Sequence, residues 1–501
     1  MRPGVTATQA TMVAVLSEPP RPDGVELRAL AARADSLEVR ADLVGDLDPH
    51  WLRQHFPGTL VYVLRSVEEG GQFSGDLAHR HSRLQAAARA YDQVDLEWAR
   101  DLTAEMLAAV PASRRRLSRH VGQPADLDAL TASVDRMSET PAALYVLSIA
   151  AVAAEDAVAV VALLVAAKRS DLTAFATGPA GLWTRILAPR LGAPVVFGQI
   201  GTGGQAGLPT LAQLQTDYGL PELAPVSCLY GIVGRSLNRS ASPLLHNRAY
   251  RMLGLPAIYL PFATEDLERF WRILMPVLDA ANLPLRGLTV VTPFKERVMD
   301  LVERPSAAAA HCGAANVVWR DGDTWAADTT DTSVVSALAA HGIELHGQRA
   351  AVVGCGAAGR AVAAALALAG AEVVLVNRSW DRGHFAERLL ALPFVPLADF
   401  SPVGFTLLVH ATPVTDRLPL SLAGLSKDAT VLELVYTEAT TPLIREAGVR
   451  GLFTVDGWHV LAAEVAMQFQ LMTGATMPAS TASDCPVPFR VVDHPLLEES
   501  R

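Results

Sequence analysis

The chain has 501 residues, which suggests two to four domains at about 150 residues each. Half of the residues are hydrophobic and 19% are charged, which excludes a globally disordered chain. With 42 basic against 52 acidic residues the net charge is −10, and nothing supplies the basic footprint of a dedicated nucleic-acid binder.

Between residue 11 and about residue 215, short apolar runs alternate with amphipathic helical segments. The runs begin at Met12, Ser36, Leu60, Tyr91, Arg116, Leu144, Leu172 and Val195. Eight such runs predict parallel strands with crossover helices, and eight is the number that closes a (β/α)8 TIM barrel. The longest apolar stretch, 144–167, is interrupted by Glu155 and Asp156. Charges at its middle predict a strand followed by a helix and not a membrane span. A Pro- and Gly-containing stretch near 219–228 reads as a linker.

A second α/β block follows and leads to the strand Arg349–Val353, then Gly354-Cys355-Gly356-Ala357-Ala358-Gly359, a helix, and the strand Glu372–Val376. This strand–glycine loop–helix–strand order is the context a dinucleotide fingerprint requires. In that reading Gly354 permits the tight turn, Gly356 the approach of the pyrophosphate, and Gly359 close helix–strand packing. The second strand ends in Asn377-Arg378-Ser379, with Arg382 nearby and no acid to accept from a ribose hydroxyl, so the loop predicts NADP as the cofactor.

The four cysteines, Cys228, Cys312, Cys355 and Cys485, form no C-x-x-C pair, so neither a disulfide framework nor a metal site is expected. The segment beginning Met1-Arg2-Pro3-Gly4 has no apolar signal core, and the protein is expected to be cytoplasmic, with no membrane or nucleic-acid partner. Only three lysines occur, Lys168, Lys295 and Lys427, so chemistry that needs an amine has few candidates.

Several segments of the second half together resemble shikimate dehydrogenase: Asn238 to Asn247, Thr292-Pro293-Phe294-Lys295, Gly313-Ala314-Ala315-Asn316, Thr329-Thr330-Asp331, Asn377-Arg378-Ser379, Ala411-Thr412-Pro413 and Leu434-Val435-Tyr436. The resemblance implies a Lys295–Asp331 catalytic pair, in which the ammonium meets the alkoxide formed by hydride transfer and the carboxylate holds the ammonium. Asp331 is also placed to cap the helix of the next segment, and the two roles are compatible. Ser240 and Ser242 lie two apart, so on an extended segment both hydroxyls face one side and bind one carboxylate. The resemblance gives them the substrate carboxylate, gives Asn316, Asp331 and Tyr436 the ring hydroxyls, and adds Gly457 and Thr412 to the cofactor site with Ala357 and Ala358. Departures are Arg239 for His, Thr289 and Val291 for Asn and Thr, and Glu464 where the family has Gln. An ionised glutamate accepts but does not donate, which bears on the choice of substrate.

The first half resembles type I 3-dehydroquinate dehydratase through Asp35 to Arg40 (with Glu38 and Arg40), Arg65 to Gly71 (with Arg65 and Glu69), Ser118-Arg119-His120, Thr184-Arg185 and Gly204-Gln205. The resemblance makes His120 the general base and gives Glu38, Arg40, Arg65, Glu69, Arg185 and Gln205 to the substrate. Such a dehydratase needs an imine-forming lysine at the end of the sixth strand. Val146 or Leu147 stands at the expected place, and Lys168 lies at the far end of the following helix, on the face opposite the active-site loops. Gly201 also replaces the family's loop serine.

These readings divide the chain into a dehydratase-like TIM barrel (10–218), a substrate-binding lobe (228–333), a Rossmann NADP-binding lobe (334–457) and a returning C-terminal helix (458–480). The function expected is an NADP-dependent shikimate dehydrogenase in aromatic amino acid biosynthesis, monomeric or homodimeric, acting on a cyclic carboxylic acid. Its fused barrel is expected to dehydrate weakly or not at all. The alternatives are a fully bifunctional dehydratase–dehydrogenase and a non-catalytic quinate or shikimate sensor, because fungal quinate regulators resemble the same domain pair.

Overall fold

The computed structural model describes residues 9–201, 207–237, 240–437 and 439–482. Eight parallel strands form the N-terminal sheet: β1 (Thr11–Leu16), β2 (Ser36–Arg40), β3 (Thr59–Val63), β4 (Gln93–Glu97), β5 (Arg115–Val121), β6 (Leu144–Ala150), β7 (Leu172–Thr177) and β8 (Val195–Gln199). Their order is β7-β6-β5-β4-β3-β2-β1-β8, a nearly closed α/β barrel whose end strands are β7 and β8. Successive strand residues alternate between faces, so Val13 and Val15, Leu144 and Val146, Phe175 and Phe197 meet in one interior cluster. The same alternation puts Glu38 with Arg40, and Arg116 and Ser118 with His120, on a common strand face.

The 144–167 stretch resolves into β6 and, after a short turn, the helix α1 (Val158–Ala167). Lys168 closes α1 in the left-handed conformation and is exposed. Its position just before β7 places it at the strand-entry end of the barrel.

The chain divides into two compact units between Leu285 and Arg286. The first unit joins to the barrel the helix α2 (Leu211–Tyr218), the parallel pair β9 (Cys228–Gly234) and β10 (Ala257–Ala263), and the helices α3 (Ser242–Leu253) and α4 (Leu267–Ala280). The acids that interrupt the apolar run make this join. Glu155 Oε1 accepts from Arg269 at 2.8 Å and from Thr264 at 3.2 Å, and Asp156 accepts from Arg269 at 2.7 Å. Trp183 meets Phe262 nearby, with ring centroids 5.5 Å apart.

The second unit contains β11 (Leu285–Val290), β12 (Arg304–Pro305), β13 (Val317–Asp321) and β14 (Thr324–Asp328) in the order β11-β13-β14-β12. β13 pairs antiparallel with both β11 and β14. A separate parallel sheet of the second unit holds β15 (Arg349–Val353), β16 (Glu372–Asn377), β17 (Phe394–Pro396), β18 (Leu407–His410), β19 (Thr430–Glu433) and β20 (Phe453–Val455), ordered β17-β16-β15-β18-β19-β20. This is a doubly wound Rossmann sheet. Ala350 and Val352 enter one core and Ala351 and Val353 the other, so β15 is apolar on both faces, as a covered parallel strand must be. The helix α5 (Ala357–Leu368) connects β15 to β16, and α6 (Gly457–Thr473) follows β20.

Candidate active sites

The inward polar residues of β2, β4 and β5 form a charged cluster in the barrel. The Arg116 guanidinium pairs with Glu38 at 2.8 Å and with Asp95, and Ser118 also donates to Asp95. Arg40 makes a two-pronged bond to Asp42 at 2.9 and 2.8 Å. Burial opposes the charge on Glu38, but Arg116, Arg65 and Arg40 hold its carboxyl below the usual range. Arg185 is 6% exposed and lies over Phe175, its guanidinium 3.9 Å from the ring centroid. The Nε atoms of Arg65 and Arg185 have no hydrogen-bond partner among the described residues. Burial lowers Arg65 to about 10 and Arg185 to about 9, values at which both remain cationic near neutral pH. These arginines and His120 line one cavity with Val146, Phe175 and Phe197.

His120 is held in two ways. Its backbone N–H donates to Glu69 at 2.9 Å, and its ring Nδ1 lies 2.6 Å from Ser148 Oγ. The register of β5 on β6 sets His120 opposite Ser148. Burial, and then Arg65, Arg116 and Arg40, keep the imidazole neutral well below its ordinary range. Burial and Glu97 push Glu69 up to about 8, so it too is neutral at pH 7. The side chain that β6 sets against His120 is Ser148: the strand runs on to Ala150, and alternation puts Ser148 on the same face as Val146, one of the two residues at the expected lysine place and part of the cavity lining. Thr184 is structural, donating to Gly181 O and accepting from Ala176 N. Gly204 and Gln205 lie outside the described residues.

In the second unit Lys295 follows β11 and Asp331 follows β14. Lys295 Nζ lies 3.0 and 3.1 Å from the two Asp331 oxygens. Ala315 N–H donates to Lys295 O at 2.8 Å, which fixes the lysine's backbone. Burial opposes the ammonium, but Asp331 and then Glu464 raise its pKa above the ordinary lysine value. Asp331 caps no helix: the neighbouring caps are Thr329 and Ser333, and Thr329 Oγ1 donates to Asp331 at 3.4 Å. Asn316 links the groups, its Oδ1 accepting from Thr330 N–H at 2.7 Å and its Nδ2 donating to Glu464 Oε1 at 2.8 Å. Tyr436 packs against Trp458 with ring centroids 4.7 Å apart and planes tilted by 50°, and a Cβ on Gly457 would lie 2.4 Å from Val435 O, so the start of α6 is closely packed on the Tyr436 loop.

Ser240 and Ser242 lie in the first unit, and their arrangement differs from the extended one expected. Ser242 is the first residue of α3, Ala241 before it is already helical, and Ser240 Oγ accepts from Ser242 N–H at 3.3 Å. The cause is Pro243 in the first turn, where its fixed φ suits a helix start. The neighbouring Asn238 and Arg239 lie outside the described residues.

The glycines of the dinucleotide loop have three different surroundings. Gly354 has φ +118°, and a Cβ there would lie 2.7 Å from Ala411 O. Gly356 has nothing within 4 Å of its Cβ position, which leaves room for a phosphate at the start of α5. A Cβ on Gly359 would lie 1.8 Å from Gly354 O, so only glycine lets α5 approach β15. Asn377 Oδ1 accepts from Cys355 N–H at 3.3 Å, and Ser379 caps the next helix through Arg382 N–H at 3.4 Å. The Arg378 and Arg382 side chains are exposed at the end of β16 and make no ion pair among the described residues. Thr412 lies beside Gly354, and its Oγ1 is 2.5 Å from His410 Nε2.

Two residues that sequence reasoning did not single out tie these parts together. Arg360 on α5 donates to Glu296 at 2.7 Å and to Cys312 O at 2.9 Å, joining the dinucleotide helix to the Lys295 turn. Gln468 donates to Glu464 Oε1 at 3.0 Å and to Thr330 at 3.1 Å and accepts from Thr289 at 2.8 Å. Among the described residues no helix is long and apolar enough to cross a membrane.

Comparison with known proteins matches both halves. The family model described as type I 3-dehydroquinase matches residues 12–224, and that of the shikimate dehydrogenase substrate binding domain matches residues 232–318. A shikimate dehydrogenase (NADP(+)) of Natronomonas pharaonis is 36% identical over 273 residues, covering 51% of this chain and 97% of the relative. The chloroplastic bifunctional 3-dehydroquinate dehydratase/shikimate dehydrogenase of Arabidopsis thaliana is 26% identical over 483 residues, 89% of this chain and 78% of the relative. Among solved structures, shikimate 5-dehydrogenase from Thermus thermophilus in complex with NADP(H) and shikimate is 33% identical with a TM-score of 0.46, covering 51% of this chain and 96% of that one.

Proposed function

Because the chain belongs to the shikimate dehydrogenase family and carries ahead of it a barrel matching the type I 3-dehydroquinase model, we propose that it reduces 3-dehydroshikimate reversibly with NADPH, while its barrel binds a cyclic carboxylic acid and dehydrates it poorly or not at all. The observation that carries the reductase is the Lys295 ammonium, 3.0 and 3.1 Å from both oxygens of Asp331.

The glycine loop suits the cofactor: Gly356 is open, Gly359 lets the helix N-terminus come close, and Arg378 and Arg382 offer guanidinium groups where a 2′-phosphate would lie. When bound, NADPH supplies the hydride for the ketone carbon. The chain's own part is the proton. Lys295, kept charged by Asp331, donates to the oxygen as negative charge develops there, and Asp331 prevents the ammonium from swinging away. Asn316 and Tyr436 orient ring hydroxyls, and Ser240 and Ser242 hold the carboxylate, with Ser242 doing so from a helix start. Asn377, Ser379, Thr412 and Gly457 complete the cofactor site.

The barrel reading rests on β6. A hydroxyl at Ser148 cannot form an imine, and Lys168, the only lysine before residue 228, is exposed at the strand-entry end. The arginine-lined cavity supports retained binding of an acid. We keep the four-part division at 10–218, 228–333, 334–457 and 458–480 and a cytoplasmic location as parts of this proposal. The test is a paired assay on the full chain, NADPH oxidation with 3-dehydroshikimate beside enone absorbance from 3-dehydroquinate. Turnover in the first alone is expected. Turnover in both supports a fully bifunctional enzyme, and in neither a sensor.

A further inference from the structure

Glu464 on α6 occupies the reductase site in an unusual way. Both amide donors that reach it, Asn316 Nδ2 at 2.8 Å and Gln468 Nε2 at 3.0 Å, go to the same oxygen, Oε1. Gln468 cannot turn away, because its Oε1 accepts from Thr289 and its Nε2 also reaches Thr330. Asn316 is fixed in the same manner by Thr330 N–H and Oγ1 at 2.7 and 2.9 Å. Oε2 makes no hydrogen bond among the described residues, and Glu464 is only half-buried.

We propose that Glu464 determines substrate specificity in this site: with Oε1 held by Asn316 and Gln468, it offers Oε2 to a ring hydroxyl of the substrate, donating as a neutral carboxyl and repelling the acidic substrate once ionised. The inference rests on the reductase reading above and adds a pH-dependent contact to it. The geometry forces the choice of atom. When the carboxyl is protonated, the oxygen that already takes two amide donors is its carbonyl oxygen, so the proton then resides on Oε2, where a glutamine would present its amide N–H.

The charged groups facing Glu464 act in opposite directions, Asp331 against its ionisation and Lys295 in favour of it. Lys295 approaches from the turn after β11 and Asp331 from the turn after β14, and Cys312 lies beside that pair. Burial, followed by repulsion from Asp331, pushes Glu464 up to about 7, and Lys295 only partly offsets this. Lys295 and Cys312 are both raised above their ordinary values, so neither titrates in the range where Glu464 does. An acid with its pKa near 7 is neutral below that pH and ionised above it. The donor is therefore present at pH 6 and lost as the pH rises through 7.

The experiment is steady-state NADPH oxidation with 3-dehydroshikimate from pH 6 to 9, for the full-length protein and Glu464→Gln, with kcat and KM resolved. In the wild type, kcat/KM should fall roughly tenfold per pH unit above the midpoint, chiefly through KM, and the Gln variant should be flat over the same range. Calorimetry of shikimate binding in the presence of NADP, at pH 8 in two buffers of different ionisation enthalpy, should show uptake of close to one proton by the wild type and none by Glu464→Gln. A falling limb that persists in the Gln variant, or wild-type binding without proton uptake, overturns the assignment of Glu464 alone. If both proteins bind shikimate but neither oxidises NADPH at any pH, the reductase reading falls and this contact with it.

Discussion

Lys295 is one of three lysines in the chain, and its surroundings suit a proton donor. Asp331 is close enough to hold the ammonium in place, and the raised pKa keeps the group charged throughout the neutral range. Removing it should leave the dinucleotide loop untouched, because that loop is built from β15, α5 and β16. Lys295→Ala is therefore expected to lower kcat by about 10²–10⁴, the usual contribution of a positioned acid, while NADPH binding measured by fluorescence titration is retained. Turnover that survives the substitution would remove Lys295 from the mechanism. The sequence made this pair readable because each member sits in its own short motif. Gln468 and Arg360 were not readable: their partners, Thr330 and Glu296, are 138 and 64 residues away, and no local pattern announces such contacts. Ser148 was missed for a different reason. The apolar run ends at Leu147, whereas the strand continues to Ala150, and only the pairing with β5 shows which residue faces His120.

At the level of elements, alternating short apolar runs with helices were enough to give the barrel's eight strands, because each strand must be apolar on the face it turns toward its crossover helix. Order alone did not reveal which ends of the sheet would meet, and β7 and β8 remain the ends of a nearly closed barrel. The extended reading of Ser240 and Ser242 failed because Pro243 starts a helix, a local preference that outweighs simple alternation. The β15–α5–β16 unit is the element whose sequence and geometry agree most closely, and Gly359 is its tightest point. With a Cβ position 1.8 Å from Gly354 O, an alanine there must push α5 away from β15. Gly359→Ala should destabilise the second unit by about 1–3 kcal/mol, the usual range for overpacking, and weaken NADPH binding together with it. Urea unfolding and fluorescence titration of NADPH would measure the two effects. Unchanged NADPH affinity in the variant would show that the helix N-terminus need not approach the phosphates this closely.

At the level of the molecule, the proposed function gives one chain two sites that would treat their ketones in different ways. The reductase needs a charged lysine and keeps it charged with Asp331. An imine-forming site needs a neutral amine, and the barrel interior is suited to making one: burial and four arginines already hold His120 far below its ordinary pKa, and the same field would depress a lysine. On the proposed reading the barrel lacks the amine itself, since Ser148 is set against His120 and Lys168 is exposed after the helix that precedes β7. With 3-dehydroquinate and borohydride, the wild-type protein should therefore show no covalent adduct by intact-mass measurement, whereas Ser148→Lys should acquire the mass of the reduced adduct at residue 148. Ser148 is buried, so the longer side chain must find room beside His120, and circular dichroism of the variant and its retained NADPH oxidation would establish that the chain is still folded. An adduct on Lys168 in the wild type would mean that an amine does reach the barrel mouth, and the barrel would have to be counted as a working dehydratase. A folded Ser148→Lys protein that traps nothing would instead mean that position 148 faces His120 without facing the ketone.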